Sequence, residues 1–188
     1  MQMIADTYFV MKNVLGMTAE EMADTWETWN KGELSSYLVE ITARILRKAD
    51  EMTGKPLIDV ILDVAKQKGT GRWTSMSALA LGVPAPTITE AVFARTMSSR
   101  KEERLVLSKR YRDLAFEGTE VDRSAVLEDL RQALYASKIC AYAQGFNLLE
   151  EAGKVYGWDL QMGRIAKIWR SGCIIRARFL DTVSEIFE

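Results

Sequence analysis

Three observations predict an all-α domain. Apolar residues recur every three or four positions almost throughout the 188 residues, which is the spacing of helices with one buried face. No segment alternates polar and apolar residues between hairpin turns, as a half-buried strand would. The length suits a single core. We therefore expect one multihelical domain over residues 1–188, with two similar helical units around long helices.

The first two helices are predicted by their end signals. Apolar positions recur over residues 4–15, and Gly16 can adopt the left-handed backbone that ends many helices. Thr18 and Glu21 have the spacing of a capping box. A second helix is therefore expected to begin there and to stop at Gly32.

Three more helices are predicted before the middle of the chain. One spans about residues 33–50, and the next begins at Pro56, which suits a first helical turn, and ends before Gly69. Glycine and proline then recur, so short helical pieces and tight turns are expected. Thr87 and Glu90 match a capping box for the helix that follows.

One long helix dominates the second half of the chain. After a polar loop at about residues 113–123, Asp122 is the expected N-cap of a helix that runs to Gly157, about 34 residues or roughly 50 Å. Gly145 and Gly153 lie inside it and would cost about 1 kcal/mol each relative to alanine. We therefore expect another helix to approach closely at both glycines.

The two ends of the chain share a W-x-x-G pattern. Trp29–Gly32 and Trp169–Gly172 each follow a short predicted helix and lead into another. We interpret this as an internal duplication packed about a pseudo-two-fold axis, with coincidence as the alternative. Trp26, Trp29 and Trp169 have helical spacing with other apolar residues, which favours core packing over a role in stacking on a cofactor.

The composition narrows the possible functions. The net charge is −1, so no global field favours a polyanion such as nucleic acid. Histidine is absent, which removes the commonest general base and metal ligand, and no metal site is assigned. Cys140 and Cys173 lack zinc-ligand spacing and are expected to be reduced and buried. No apolar run is long enough to span a membrane and no signal peptide precedes the first helix, so a cytoplasmic protein is expected.

The stretch Lys68–Thr74 is the strongest candidate binding motif. Gly69 and Gly71 allow backbone N–H groups to point into one concavity, while Lys68 and Thr70 add a cation and a hydroxyl. Such a nest suits a phosphate or a carboxylate. It does not match the Walker A pattern, and the alternative is a glycine-rich turn that only joins two helices.

A second candidate is Arg95, which follows the apolar residues 91–94. The planar guanidinium of an arginine can donate two parallel hydrogen bonds to phosphate or carboxylate oxygens. The alternative is a structural ion pair with an acidic neighbour.

The motifs, in order, resemble the helical domain of the 6-phosphogluconate dehydrogenase family, and the resemblance covers essentially the whole chain. The matching stretches are Met1–Ala5, Trp29–Leu34, Gln67–Thr74, Glu90–Arg95, Ala133–Ile139, Tyr142–Phe146 and Gly172–Arg176. Members oxidise and decarboxylate 6-phosphogluconate to ribulose 5-phosphate with NADP, sometimes NAD. The resemblance implies that Lys68 and Thr70 contact the substrate phosphate, that Arg95 binds the phosphosugar, and that the domain forms a homodimer.

The resemblance also implies what these residues lack. The family's dinucleotide-binding domain carries GxGxxG, which does not occur here. Its catalytic lysine and glutamate would lie just before Met1, and a tail that supplies an arginine and a histidine would follow Glu188. We therefore assign no catalytic residue and expect the isolated chain to be inactive. The alternatives are a non-catalytic helical dimerisation module and a related β-hydroxyacid dehydrogenase, whose helical domain is shorter.

Overall fold

The computed structural model describes residues 2–111 and 120–188. Within these ranges the chain forms ten α-helices and no β-strand, which confirms the all-α prediction. The helices are α1 (Gln2–Asn13), α2 (Ala19–Trp29), α3 (Tyr37–Arg47), α4 (Leu57–Val60), α5 (Thr70–Ala80), α6 (Pro86–Ser99), α7 (Lys101–Arg110), α8 (Arg123–Tyr156), α9 (Met162–Trp169) and α10 (Phe179–Ile186).

Most helix ends predicted from local signals are confirmed. Thr18 and Glu21 form the reciprocal capping box at the start of α2. Asp122 accepts hydrogen bonds from the first backbone N–H groups of α8, a helix of 34 residues that ends at Gly157 with φ 69°. Gly16 also has a left-handed backbone, with φ 62°.

Two predicted helices are shorter than expected. α3 begins at Tyr37, because Ser36 is its N-cap and its hydroxyl accepts a hydrogen bond from the Val39 N–H. The helix predicted from Pro56 to Gly69 is wrong beyond the single turn of α4, and residues 62–68 are not helical. Hydrogen bonds to α6 and α7 hold these residues instead. Of the loop predicted at residues 113–123, positions 113–119 lie outside the described residues.

The stretch between Gly69 and α6 also differs from the prediction. It contains one continuous helix, α5, rather than several short pieces. The capping box predicted for α6 is wrong, since no side chain from its own N-cap position binds there. The amide oxygen of Gln144 on α8 accepts hydrogen bonds from the N–H groups of Thr87 (3.0 Å) and Ile88 (3.3 Å), and its nitrogen donates to the Thr87 hydroxyl (2.9 Å). A distant side chain therefore caps α6.

Only one of the two glycines inside α8 allows a close approach. A Cβ atom at Gly153 would lie 3.2 Å from the carbonyl oxygen of Trp158, in the turn that follows α8. A Cβ atom at Gly145 would meet no heavy atom of the described residues within 4 Å, and the neighbours of Gly153 belong to a turn, so the predicted approach of another helix is wrong at both glycines.

The two W-x-x-G turns lead into segments that pair with each other. Ser36 and Ala177 form an antiparallel bridge, in which the Tyr37 N–H donates to the Arg176 carbonyl (3.1 Å) and the Arg178 N–H donates to the Ser35 carbonyl (3.0 Å). Such an exchange of two bonds is locally two-fold symmetric. On either side, α2 packs on α3 and α9 packs on α10, which gives the two similar helical units predicted.

In the part of the chain that the structure describes, the buried apolar residues form three clusters. The largest, which we call the main core, joins α1, α2, α3 and α8 and contains Met11 and Trp26, both fully buried. A second cluster joins α8, α9 and α10, and Trp169 packs against it. The third joins α5, α6 and α8 and is small. The predicted core positions of the tryptophans are thus confirmed.

The cysteines do not follow the prediction of burial, because Cys140 is exposed and Cys173 is partly exposed. Across the described residues, no helix combines the length and the apolar composition that crossing a membrane requires.

Candidate functional site

A segment without regular secondary structure, residues 62–68, leads into the Lys68–Thr74 motif and lies along α6. The Ala65 N–H donates to the Ser98 hydroxyl (2.9 Å), and the Gln67 side-chain amide donates to the Thr96 hydroxyl (2.7 Å). Because these partners lie on the same helix, the segment has one defined position on α6. Lys68, its last residue, is positioned with it.

A polar clamp holds the beginning of the same segment. The Arg104 guanidinium donates to the Asp63 carboxylate (3.2 Å), to the Asp63 carbonyl (2.8 Å) and to the Ser98 carbonyl (3.1 Å). Lys101 also donates to the Asp63 carboxylate. These bonds, with Lys101 contributing most, hold the pKa of Asp63 below its usual value. The exposed charges add little stability, so the clamp mainly fixes geometry.

The glycine-rich motif forms an open helix start. Gly69 is the N-cap of α5 with φ 102°, a backbone conformation that favours glycine, and within residues 2–111 and 120–188 no side chain accepts a hydrogen bond from the first turn of α5. The N–H groups of the first turn therefore point out of the helix without an internal acceptor. Lys68 and Thr70 are exposed beside them. Because the residues before Gly69 are not helical, the motif begins one helix rather than joining two, and anion binding by it stays a prediction.

Arg95 reaches from α6 to the 62–68 segment. Its terminal Nη2 donates to the Lys66 carbonyl (3.1 Å), two residues before Lys68. Its Nε is buried and has no hydrogen-bond partner among the described residues. The ion pair considered as an alternative role is not present with any acidic residue in the described ranges. The guanidinium therefore lies beside the motif with donor capacity left over.

α5 and α6 approach each other closely at the motif. A Cβ atom at Gly71 would lie 2.8 Å from a methyl group of Val92, so only glycine fits without a shift. Behind this contact, the Ser75 hydroxyl donates to the Gly71 carbonyl (3.1 Å) and accepts a hydrogen bond from the Thr89 hydroxyl (3.1 Å). This packing sets the position of the motif relative to Arg95.

The basic residues around the motif have no acidic partners among the described residues. Lys66, Lys68, Arg72 and Arg95 make no ion pair there, whereas Arg47, for example, contacts two carboxylates. Sequence reasoning identified Lys68, Thr70 and Arg95 but not the residues that position them. Gln67, Thr96, Ser98 and Arg104 have no spacing signal of their own, because each acts on a partner in another element.

Comparison with known proteins identifies the family. The model of the 6-phosphogluconate dehydrogenase C-terminal domain matches residues 1–188. The chain is 53% identical over 188 residues to the NADP(+)-dependent, decarboxylating 6-phosphogluconate dehydrogenase of Bacillus subtilis, covering all of this chain and 40% of that protein. The chain belongs to the 6-phosphogluconate dehydrogenase C-terminal domain family.

The fold agrees with that of a solved family member. The structure of Plasmodium falciparum 6-phosphogluconate dehydrogenase, described in its apo form and in complexes with NADP+ and with 6-phosphogluconate, superposes with a TM-score of 0.88 at 40% identity. The match covers 98% of this chain and 40% of that chain. The chain thus spans about two fifths of the length of these relatives. The similarity is to their helical C-terminal domain.

Relatives named for different cofactors are almost equally similar to this chain. The NAD(+)-dependent 6-phosphogluconate dehydrogenase of Bacillus subtilis is 52% identical over 188 residues, nearly the same as its NADP(+)-dependent counterpart. The sequence contains no GxGxxG, and residues 2–111 and 120–188 contain no strand–helix–strand unit. The described residues therefore do not fit a dinucleotide site of that kind.

Proposed function

We propose that this domain binds 6-phosphogluconate for an NADP-dependent, decarboxylating dehydrogenase, which forms ribulose 5-phosphate and CO2. Lys68, Thr70 and Arg95 bind the phosphosugar. The observation that carries the proposal is the attachment of the 62–68 segment to α6, because it brings the glycine-rich motif next to Arg95. Family membership supplies the reaction.

Each of the three residues offers a different contact to a phosphate. Lys68 provides a mobile point charge, and Thr70 provides a hydroxyl next to the open first turn of α5, whose N–H groups favour an anion. Arg95 provides planar donors at a fixed distance from the motif, because its Nη2 is already bonded to the Lys66 carbonyl. Together they neutralise the phosphate and orient the sugar.

Oxidation and decarboxylation are not assigned to any residue of this chain. Hydride transfer requires NADP, and the described residues do not form its binding fold. We therefore expect the purified 188-residue chain to bind the phosphosugar without reducing NADP. NADPH formation above a blank, followed by absorbance, would contradict this division of roles.

The domain is also proposed to form a homodimer, as the resemblance implied. Large apolar side chains are exposed along the α5–α6 hairpin; they are Trp73, Met76, Leu79, Phe93 and Met97. Several large exposed apolar side chains on two neighbouring helices favour a protein interface. Sedimentation velocity should show a dimer that Leu79→Glu dissociates and that Ile168→Glu, at an exposed position on α9, leaves intact. A monomeric wild type would refute the homodimer.

The binding proposal is tested by calorimetric titration with 6-phosphogluconate. Lys68→Met and Arg95→Lys should each weaken binding by about tenfold or more, since a charge-assisted hydrogen bond contributes roughly 1.5–3 kcal/mol. Lys55→Met is the matched control, because Lys55 is exposed and lies outside the site. Binding that is unchanged by both site variants would refute the assignment.

The alternative, a dimerisation module without a binding role, makes a different prediction. A dimeric chain that does not bind 6-phosphogluconate at all would favour the module.

A cytoplasmic location is retained as part of the proposal, and the two free cysteines are consistent with a reducing compartment. Cell fractionation would test it.

A further inference from the structure

A cleft of about 500 Å³ lies next to the proposed phosphosugar site and has no role in it. Its lining consists of Lys66, Gln67, Arg72, Thr96 and Ser99. Lys68, Thr70 and Arg95 do not line this cleft, although they are neighbours of its residues in the chain. The cleft borders the site, shares Arg72 with the Lys68–Thr74 motif, and is formed by the same segment and the same two helices.

The charge of this cleft is unbalanced. Lys66 and Arg72 are exposed, and neither side chain donates a hydrogen bond or forms an ion pair with a described residue. None of the described residues that line the cleft carries a carboxylate. By contrast, a second cleft, of about 330 Å³, is lined by both Glu33 and Arg178, so a cation there faces an internal counter-charge.

The walls between the two cations are fixed by internal hydrogen bonds. The Gln67 amide donates to the Thr96 hydroxyl, and the Ser99 hydroxyl donates to the Thr96 carbonyl (2.7 Å). The Lys66 carbonyl accepts from Arg95. The neutral groups are thus engaged within the protein, and the donors left for a ligand are those of Lys66 and Arg72.

We propose that this cleft is a second anion-binding subsite, in which Lys66 and Arg72 hold a tetrahedral oxyanion such as phosphate. The inference rests on the proposed function, since it makes the domain bind two anionic groups side by side: the phosphosugar at Lys68, Thr70 and Arg95, and a further phosphate in the cleft. The guanidinium of Arg72 can contact two oxygens at once and Lys66 a third. Because both cations are exposed, binding weakens as ionic strength rises.

The test is a titration of the 188-residue chain with inorganic phosphate at low ionic strength, with and without saturating 6-phosphogluconate. The wild type should bind phosphate in both cases. Lys66→Met/Arg72→Met should weaken phosphate binding in the presence of 6-phosphogluconate by about tenfold or more, and should change the affinity for 6-phosphogluconate much less. Lys31→Met/Lys55→Met, which removes two exposed cations elsewhere, should leave both affinities unchanged.

Lys68→Met separates the subsite from the proposed function. It should weaken 6-phosphogluconate binding and preserve phosphate binding in the cleft. If the wild type fails to bind 6-phosphogluconate but its phosphate binding is lost in Lys66→Met/Arg72→Met, the proposed function fails and the subsite stands. If phosphate is simply displaced by 6-phosphogluconate, or if the double variant behaves like the control pair, the subsite is refuted.

A second arm distinguishes a free phosphate from a second phosphate on the same ligand. A bisphosphorylated hexitol that reaches both subsites should lose more affinity in Lys66→Met/Arg72→Met than 6-phosphogluconate does. If the double variant loses the same affinity for both sugars, and phosphate binding still depends on Lys66 and Arg72, the cleft binds free phosphate. Circular dichroism of each variant checks that these exposed substitutions leave the fold intact.

Discussion

The main core and the α5–α6 hairpin are held together in different ways. Among the described residues, the main core buries eleven, nine of them from four helices, including Met11 and Trp26 at 0% exposure. The cluster beneath the hairpin contains four, and two of these are alanines, Ala78 and Ala85. The apolar area that stabilises the hairpin is therefore much smaller.

Polar contacts from other elements compensate for the small cluster. Gln144 caps α6 from α8, and Arg104 clamps the 62–68 segment from α7. A hydrogen bond contributes only about 0.5–1.5 kcal/mol net, but it is directional. Most of the stability therefore comes from the main core. In the α5–α6 hairpin, which carries the proposed site, the polar contacts fix the orientation of the helices but add little stability.

The largest effect is expected for a cavity in the main core. Met11→Ala should lower the free energy of unfolding by about 2–5 kcal/mol, the range for removing a buried methionine side chain. Met52→Ala makes the same chemical change at a residue that is 94% exposed and should stay within about 0.5 kcal/mol of the wild type. Urea denaturation measures both. Similar losses in the two variants would refute the location of the core.

A smaller effect is expected where α5 and α6 meet. Gly71→Ala places a methyl group against Val92 and should cost about 1–3 kcal/mol, as overpacking does. It should also weaken 6-phosphogluconate binding, because α5, which directly follows Lys68, and α6, which carries Arg95, move apart. Calorimetry and urea denaturation measure the two effects.

Two further variants control for this interpretation. Gly71→Ala/Val92→Ala removes the clashing methyl group and should be less destabilised than the sum of its single variants. Gly145→Ala adds a methyl group inside α8 where no heavy atom lies within 4 Å, and should raise stability by roughly 0.5–1 kcal/mol. A loss at Gly145 equal to that at Gly71 would show that close packing is not the cause.

The cap of α6 gives the next effect. Gln144→Met keeps the size of the side chain but leaves two N–H groups of α6 without an acceptor, and should cost about 0.5–2 kcal/mol, as other lost caps do. Gln144→Glu should retain most of the stability, because a carboxylate accepts from the same N–H groups and suits a helix N-terminus. Hydrogen exchange at Thr87 and Ile88 should quicken only in Gln144→Met. Fast exchange in both variants would contradict the capping role.

Helix ends set by neighbouring residues could be predicted from the sequence. Thr18 with Glu21, Asp122 and Gly157 act within a few positions of the groups they bind, so their spacing contains the whole signal. The overall fold class followed from the helical period for the same reason. For these helix ends and for the fold class, the neighbouring residues were enough to make the prediction.

Features fixed by distant partners could not be predicted. The 62–68 segment is held outside a helix by Ser98, which lies 33 residues beyond Ala65 and accepts its N–H, and α6 is capped by a side chain 57 residues beyond Thr87. The candidate roles of Lys68, Thr70 and Arg95 came from ordered motifs, and they remain predictions. Nothing in the spacing of Lys66 and Arg72 indicated that they line one cleft.

The smallest expected effect is a change in stability at acidic pH. It can be compared between the main core, through Glu21, and the 62–68 segment, through Asp63. The Thr18 N–H, and after it Arg123, lower the pKa of Glu21 to about 2 from 4.5. Since the folded pKa is the lower one, the stabilisation is complete above pH 4.5 and is lost as pH falls toward 2. Glu21→Gln should therefore be less stable than the wild type at pH 6, and the difference should shrink below pH 4.5 in urea denaturation series.

Glu20→Gln is the matched control, because the Glu20 carboxylate makes no hydrogen bond with a described residue. A constant difference between Glu21→Gln and the wild type from pH 6 to pH 3 would contradict the capping explanation. Asp63, whose pKa is also lowered, holds the 62–68 segment rather than the main core. Its protonation should therefore weaken 6-phosphogluconate binding with little change in global unfolding, whereas protonation of Glu21 should do the reverse.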